Sequence, residues 1–444
     1  MERIKTSLGD VLLLIWLILI PTQLGRHFWL GESSVVGIRI DYLSIIFYLT
    51  DLVWLLWVIK KSSIFNLQSS IFNLQSSIFN LQSSIFNLQS SNKKNKFKKL
   101  NLLNFNNLIL IMFVGVNIVL ATARWVALYR WLRIGQWWLT VKLLSKNKKK
   151  FTNYLTKIVP WWIIVEAFLG LAQIIKGGSL NGILWWLGER RFTYGGIGIA
   201  QFRVFDQAWI RAYGTFSHPN SLAGFLLLAW WWWKKQFSIL NLQSSAEKMG
   251  YWIVNWSAVL GIALSGSRVV WVVTAGMLIA EEILKTKAKS LKIITGKILL
   301  SVGVICLILG VVSINYRISD FVGGWDINSL EKREALAVSA LKMIRKSPLF
   351  GIGAGNFVVN LPKFPTGNFY WMQPVHNILL LALSEIGIVG IIILIFNLQS
   401  TIIKIMKYKL WWLWAIVGVT GLFDHYWLTL PQNSWLLAII LGLI

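Results

Sequence analysis

About twelve apolar stretches, separated by short polar loops, limit what this chain can fold into. They run approximately over 8–24, 37–59, 103–122, 125–144, 158–175, 219–233, 251–265, 269–284, 293–313, 376–396, 410–423 and 431–444. The 444 residues are 56% hydrophobic, with 27 tryptophans and a mean hydropathy of +0.61, more apolar surface than a soluble protein can hide. A bilayer must act as solvent, and the spacing predicts an all-α integral membrane protein of about twelve transmembrane helices. Several stretches fall short of the ~20 residues that a perpendicular helix needs, so they extend into loops or pack against protein. The first follows a short basic start without a small-x-small cleavage site, and reads as a retained span rather than a signal peptide.

Charge then orients the chain. A formal net charge of +27 suggests nucleic acid only until the loops are read one by one. Alternate loops at 60–61, 93–99, 142–157, 234–248, 285–297 and 404–409, with the N-terminus, hold 26 of the 44 basic residues, and 25 of these are Lys. The opposite set holds 18, of which 13 are Arg. The Lys-rich set is cytoplasmic by the positive-inside rule, which puts both termini in the cytoplasm of an inner-membrane protein. Arg offers a planar, permanently charged fork that fits phosphate oxygens, so the outer Arg set points to anionic ligands or to snorkelling at the interface. The single cysteine, Cys306, lies in an apolar run and leaves no disulfide or thiolate cluster within one chain.

A low-complexity insert at 62–91 repeats SSIFNLQ, with related fragments at 238–245 and 396–401. The copies lack the flanking charges of a coiled coil, and all fall at or beside cytoplasmic loops. Chemistry is therefore expected on the other face.

On that face two long loops, about 176–218 and 314–375, and two short turns carry polar motifs. Arg211-Ala-Tyr-Gly-Thr-Phe-Ser-His218-Pro-Asn220 ends at a span; His218 and Asn220 read as a helix start, while Arg211 has only Asp206 near it in sequence. Ser265-Gly-Ser-Arg268 is a tight turn whose Arg is either interfacial or a ligand. Residues 331–345 have helical apolar spacing, so they form an amphipathic outer helix whose Arg333 either pairs with Glu331 or Glu334 or binds an anion. A Gly-rich segment, 347–357, lacks the strand and lysine of a nucleotide loop and reads as a turn. His376-Asn377 opens another span, with Glu385 deeper and Gly387 and Gly390 suited to close helix packing. Glu166 is a second carboxylate inside a span. Asp424-His425 pairs an acid with a base near the last turn, either as cap or as function. The four His are scattered and show no metal-ligand spacing, so no metal or cofactor is expected.

Taken in order, R-x-x-GTF-x-HPN, then SGSR, then an Arg ahead of PLFGIGxGNF, then HN-x9-GxxG, this series resembles the O-antigen ligases and their polymerase relatives. The likeness is carried by roughly 200–395. It implies a GT-C-like membrane glycosyltransferase architecture, with helices 1–175, a ligase-like core at 176–396 and closing helices at 397–444. It implies transfer of a glycan from undecaprenyl diphosphate to a glycan, lipid or protein acceptor outside the cytoplasm, without nucleotide sugar or metal, amid membrane lipids and without nucleic acid. By that resemblance His376 is the general base, Arg211 and Arg333 hold the diphosphate, and Arg268 is a third cation. Asn377, Glu385, Asp424, His425, His218 and Asn220 would support them. A flippase would instead place charges at the midplane and repeat its halves, and a scaffold would leave the Arg and His motifs without purpose.

Overall fold

A computed structural model describes residues 7–61, 108–196, 198–204, 207–237, 244–286, 325–366, 371–408 and 410–444. The insert at 62–91, the expected span 293–313, Cys306, Asp206 and most of the fragment at 238–245 lie outside the described residues.

The fold is mostly helical. In chain order come α1 (Leu8–Leu19), the strands β1 (Gly25–Phe28), β2 (Ser34–Val35), β3 (Ile38–Arg39) and β4 (Ile45–Tyr48), then α2 (Leu49–Lys61). Next are α3 (Leu108–Leu120), α4 (Arg124–Ser145), α5 (Lys148–Lys176) and the one-turn α6 (Ile183–Trp186). Strands β5 (Gln201–Val204) and β6 (Gln207–Ile210) precede α7 (Pro219–Phe237), α8 (Ser245–Leu264) and α9 (Arg268–Thr286). The rest is α10 (Trp325–Lys346), α11 (Phe357–Asn360), α12 (Ile378–Lys407), α13 (Trp411–Phe423), α14 (Tyr426–Thr429) and α15 (Pro431–Leu443).

Two of these helices, α5 and the Ile378–Gln399 part of α12, are long and apolar enough to cross a membrane, and α1, α3 and α13 are shorter apolar helices. The all-α expectation needs a correction, because three two-stranded antiparallel ribbons form: β1 with β4, β2 with β3, and β5 with β6. Within the expected span 37–59 the run Ile45-Ile-Phe-Tyr48 is β-branched and aromatic, and it pairs residue by residue with β1 before the helix begins. Only the 13 residues of α2 are then left for the crossing, about 20 Å at the helical rise.

Helix α7 is the axis. Its residues from Leu222 to Trp233 are buried on every side, as expected for a helix that is apolar all round. It packs against α5, α8, α9 and α15. Indoles fill one end of the core: Trp16 stacks on Trp57 at 5.6 Å and meets Trp435 edge-on at 5.3 Å. Beside them Arg133 of α4 forms a buried ion pair with Asp51 of α2, a pairing that hydropathy gave no sign of.

Lysines and the C-terminal residue gather at one end of the bundle. Asp10 pairs with Lys150 at 2.5 Å, Lys61 stands over the Phe151 ring at 4.2 Å, and Lys148 bonds the Ile444 carbonyl. The start of α7 lies at the other end, with the ribbons and the polar motifs.

Candidate active site

Because α7 is central, the HPN sequence at its start places His218 and Asn220 in the middle of that end. The loop leading to it is built from below by α5. Glu166 accepts hydrogen bonds from the Thr215 amide at 2.9 Å and its hydroxyl at 2.8 Å. Gln173 accepts from the Tyr213 and Gly214 amides at 3.2 and 2.8 Å and donates to the Gly214 carbonyl at 2.8 Å. Gly214 has φ +58°, and a Cβ there would sit 2.1 Å from Glu166 Oε2. These contacts make Glu166 a clamp on the GTF turn, away from the polar cluster itself.

Arg211 leaves this loop and grips two other motifs. Its Nε donates to the Ser265 carbonyl at 2.5 Å, and its Nη2 donates to Asn220 Oδ1 at 2.6 Å. Gly266, at φ +63°, lets the turn come so close that a Cβ would stand 3.0 Å from Arg211 Nε. Arg268 opens α9 directly after that turn and is exposed; the turn connects it to the cluster.

Asn220 continues the chain of contacts, donating from Nδ2 to Asp424 Oδ2 at 2.9 Å. The other oxygen of Asp424 accepts the His425 amide at 2.8 Å. The His425 ring bonds Thr429 through Nδ1 at 2.7 Å and lies 5.4 Å from the His376 ring. Tyr42 meets His425 edge-on at 5.5 Å.

His376 sits on the stem of α12. Asn377 is the helix cap: its Oδ1 accepts the Leu379 and Leu380 amides at 2.9 and 3.0 Å, and its Nδ2 donates to the Leu422 carbonyl at 3.2 Å. That cap fixes the preceding His376, whose Nδ1 is sealed from solvent without a partner among the described residues. Buried polar atoms in native interiors are mostly hydrogen-bonded, so this nitrogen is open to a partner from outside the chain.

Electrostatics tie the cluster together. Burial pushes the His376 imidazole well below its usual range, against the attraction of Asp424. Burial also pushes His218 down to about 4, with Arg211 and Arg333 among the neighbouring charges. Burial alone would raise the Asp424 carboxyl, but His425, His376, His218 and the Asn220 amide outweigh it and hold the group below its usual range. Arg333 of α10 acts on both His376 and His218, and makes no ion pair with Glu331 or Glu334 among the described residues.

Glu385 does not join them. Helix α12 breaks at Gly387, with φ 61° and ψ −176°. The break frees the Ser384 and Glu385 carbonyls, which take the Ile352 and Gly353 amides at 2.9 and 3.0 Å, and frees the Ile388 and Val389 amides for the Pro348 and Leu349 carbonyls. The Glu385 carboxylate accepts the Phe357 amide at 3.3 Å. A Cβ on Gly387 would stand 2.4 Å from the Leu349 oxygen. The Gly-rich segment is therefore threaded into a broken helix, a stronger constraint than the simple turn read from sequence. Gly390 meets the Phe113 ring of α3, as a close-packing glycine should.

Residues 253–395 match the family model described as O-antigen ligase (Wzy_C). The match spans about a third of the chain and supports the resemblance to the O-antigen ligase family. Comparison with curated proteins and with solved structures gave no significant match. The family is one of integral membrane proteins that take part in polysaccharide biosynthesis. The O-antigen ligase match covers Arg268, Arg333 and His376, while Arg211, His218 and Asp424 reach the same place from outside it. Sequence reasoning missed Gln173, Tyr42, Thr429 and Arg190. Gln173 is a polar residue in an apolar helix, and that signal was available.

Proposed function

We propose that the cluster transfers a glycan from undecaprenyl diphosphate to an acceptor hydroxyl on the outer face of the inner membrane, as O-antigen ligases do. The observation that carries the reading is that four segments, contributing Arg211 and His218, Arg333, His376 and Asp424, put cations and imidazoles together at one end of the bundle.

In this reading Arg211 and Arg333 hold the diphosphate, with Arg268 as a third cation, and offset the charge that grows on it as the sugar leaves. The acceptor oxygen bonds to the anomeric carbon, the bond from that carbon to the diphosphate oxygen breaks, and undecaprenyl diphosphate departs. The acceptor proton passes to His376. Burial keeps that imidazole neutral and ready to accept it, and the nearby Asp424 carboxylate stabilises the cation that results. Asn220 joins both halves, since it bonds the diphosphate-binding Arg211 and the carboxylate together. An acceptor that is itself a growing chain would make the protein a polymerase with the same chemistry.

The test uses purified protein in nanodiscs with a glycan-loaded donor. The expected result is release of undecaprenyl diphosphate together with a glycosylated acceptor, and loss of both in His376→Ala that binds donor normally. Unchanged release by that variant would remove His376 from the role. Supplying lipid A core, free repeat units or a protein as acceptor identifies which hydroxyl is used.

A further inference from the structure

The loop 177–194 is a built arm. Its stem is closed by the Gly178–Thr193 bridge, by the Ser179 amide on the Phe192 carbonyl at 3.0 Å and by the Tyr194 amide on the Gly177 carbonyl at 3.1 Å. Inside it Glu189 accepts the Leu180 and Asn181 amides at 2.7 and 2.8 Å and the Gln173 side chain at 2.9 Å. The only acid of the arm is thus spent inward, and Gly188 seats the base against Thr22 and Gln23. What the arm presents outward is an apolar tip, with Ile183 76% and Trp186 67% exposed, and two arginines at its base. Arg191 stacks over Trp185 at 5.1 Å. Arg190 is exposed and donates from Nη1 to the Ser217 carbonyl at 3.1 Å, one residue before His218.

We propose that Arg190 is a further diphosphate-binding residue, which meets the donor at the membrane surface and shares its diphosphate with Arg211 across the 211–220 loop. Arg190 and Arg211 both hold the end of that loop, Arg190 through the Ser217 carbonyl and Arg211 through Asn220 Oδ1. An apolar aromatic tip with cations at its base suits a membrane interface. A polyprenyl diphosphate has both matching parts, a hydrocarbon chain for the tip and phosphate oxygens for Arg190. The assignment rests on the proposed glycan transfer.

The experiment compares Arg190→Gln, Arg190→Lys and Arg211→Gln in the donor assay, with inorganic pyrophosphate as competitor. Gln keeps a donor for the Ser217 carbonyl and drops the charge, so a purely structural brace would tolerate it. Arg190→Gln is expected to raise donor KM and the pyrophosphate inhibition constant about tenfold or more with kcat nearly unchanged, and Lys to restore most of the loss. Ile183→Ser with Trp186→Ser should raise KM for a long-chain donor and leave a short-chain, water-soluble donor unaffected. A donor KM unmoved by Arg190→Gln while Arg211→Gln raises it overturns the role of Arg190. A long-chain KM unmoved by the tip substitutions overturns the membrane contact. If neither arginine affects donor KM, the underlying site is wrong as well.

Discussion

At the scale of the residue, His376 changes meaning through its neighbours. In sequence it is an ordinary imidazole before a helix; in the fold its Nδ1 is sealed, its ring lies 5.4 Å from His425, and the charges of Asp424 and Arg333 act on it. Removing a general base costs about 10²–10⁴ in rate, so His376→Ala should lose that much kcat in a single-turnover assay. Asp424 raises the basicity of His376 against burial, so Asp424→Asn should shift the acid limb of kcat/KM to lower pH and reduce kcat about tenfold or more. Stability also carries a signature. The folded value for His218 lies near 4, below the unfolded 6.5, so the unfolded chain binds the extra proton between those values. Stability should hold above pH 6.5 and decline as pH falls towards 4, by up to about 1.4 kcal/mol per unit for this group. Melting in detergent across that range should show a shallower decline in His218→Asn; an identical slope would contradict the buried, neutral His218.

At the scale of the element, the break in α12 is the informative feature. The HN-x9-GxxG spacing was legible as a string, and it falls on the helix that Asn377 caps and that breaks at Gly387. Its physical reason was not legible, because Gly387 is required by the Leu349 carbonyl, 38 residues upstream, which no periodicity links to it. Glu385 shows the same limit: a carboxylate inside an apolar span reads as chemistry, and here it holds the loop that replaces two helical hydrogen bonds. Gly387→Ala should therefore cost several kcal/mol, since both the positive φ and the space are lost. Gly276→Ala in α9, where a Cβ meets nothing within 4 Å, should be neutral or gain about 0.5–1 kcal/mol. Denaturation midpoints of the two variants measured side by side check the contrast. Asn117 fastens the same loop, donating to the Phe350 and Glu385 carbonyls at 2.9 and 3.0 Å and accepting the Ala354 amide at 2.9 Å. Asn117→Leu should leave these groups unpaired and destabilise by about 1–3 kcal/mol for each.

At the scale of the whole molecule, hydropathy and charge divide the polar loops into a Lys-rich and an Arg-rich set. Among the described residues Lys61 and Lys150, from separate loops, meet at one end, and the Arg211 and His376 motifs lie at the other. The ribbons were hidden because Ile45–Tyr48 is as apolar as the helix that follows it, and the period of a four-residue strand is drowned in a longer apolar run. The central claim is that residues brought from both sides of the family segment form one site with two separable duties, holding a diphosphate and taking a proton. Donor affinity and single-turnover rate, measured together on Arg211→Gln and His376→Ala, test it most directly. The account predicts that Arg211→Gln loses donor affinity and that His376→Ala binds donor normally yet transfers at least about a hundredfold more slowly. Transfer by His376→Ala at the unmodified rate, or donor binding untouched by Arg211→Gln, would contradict it.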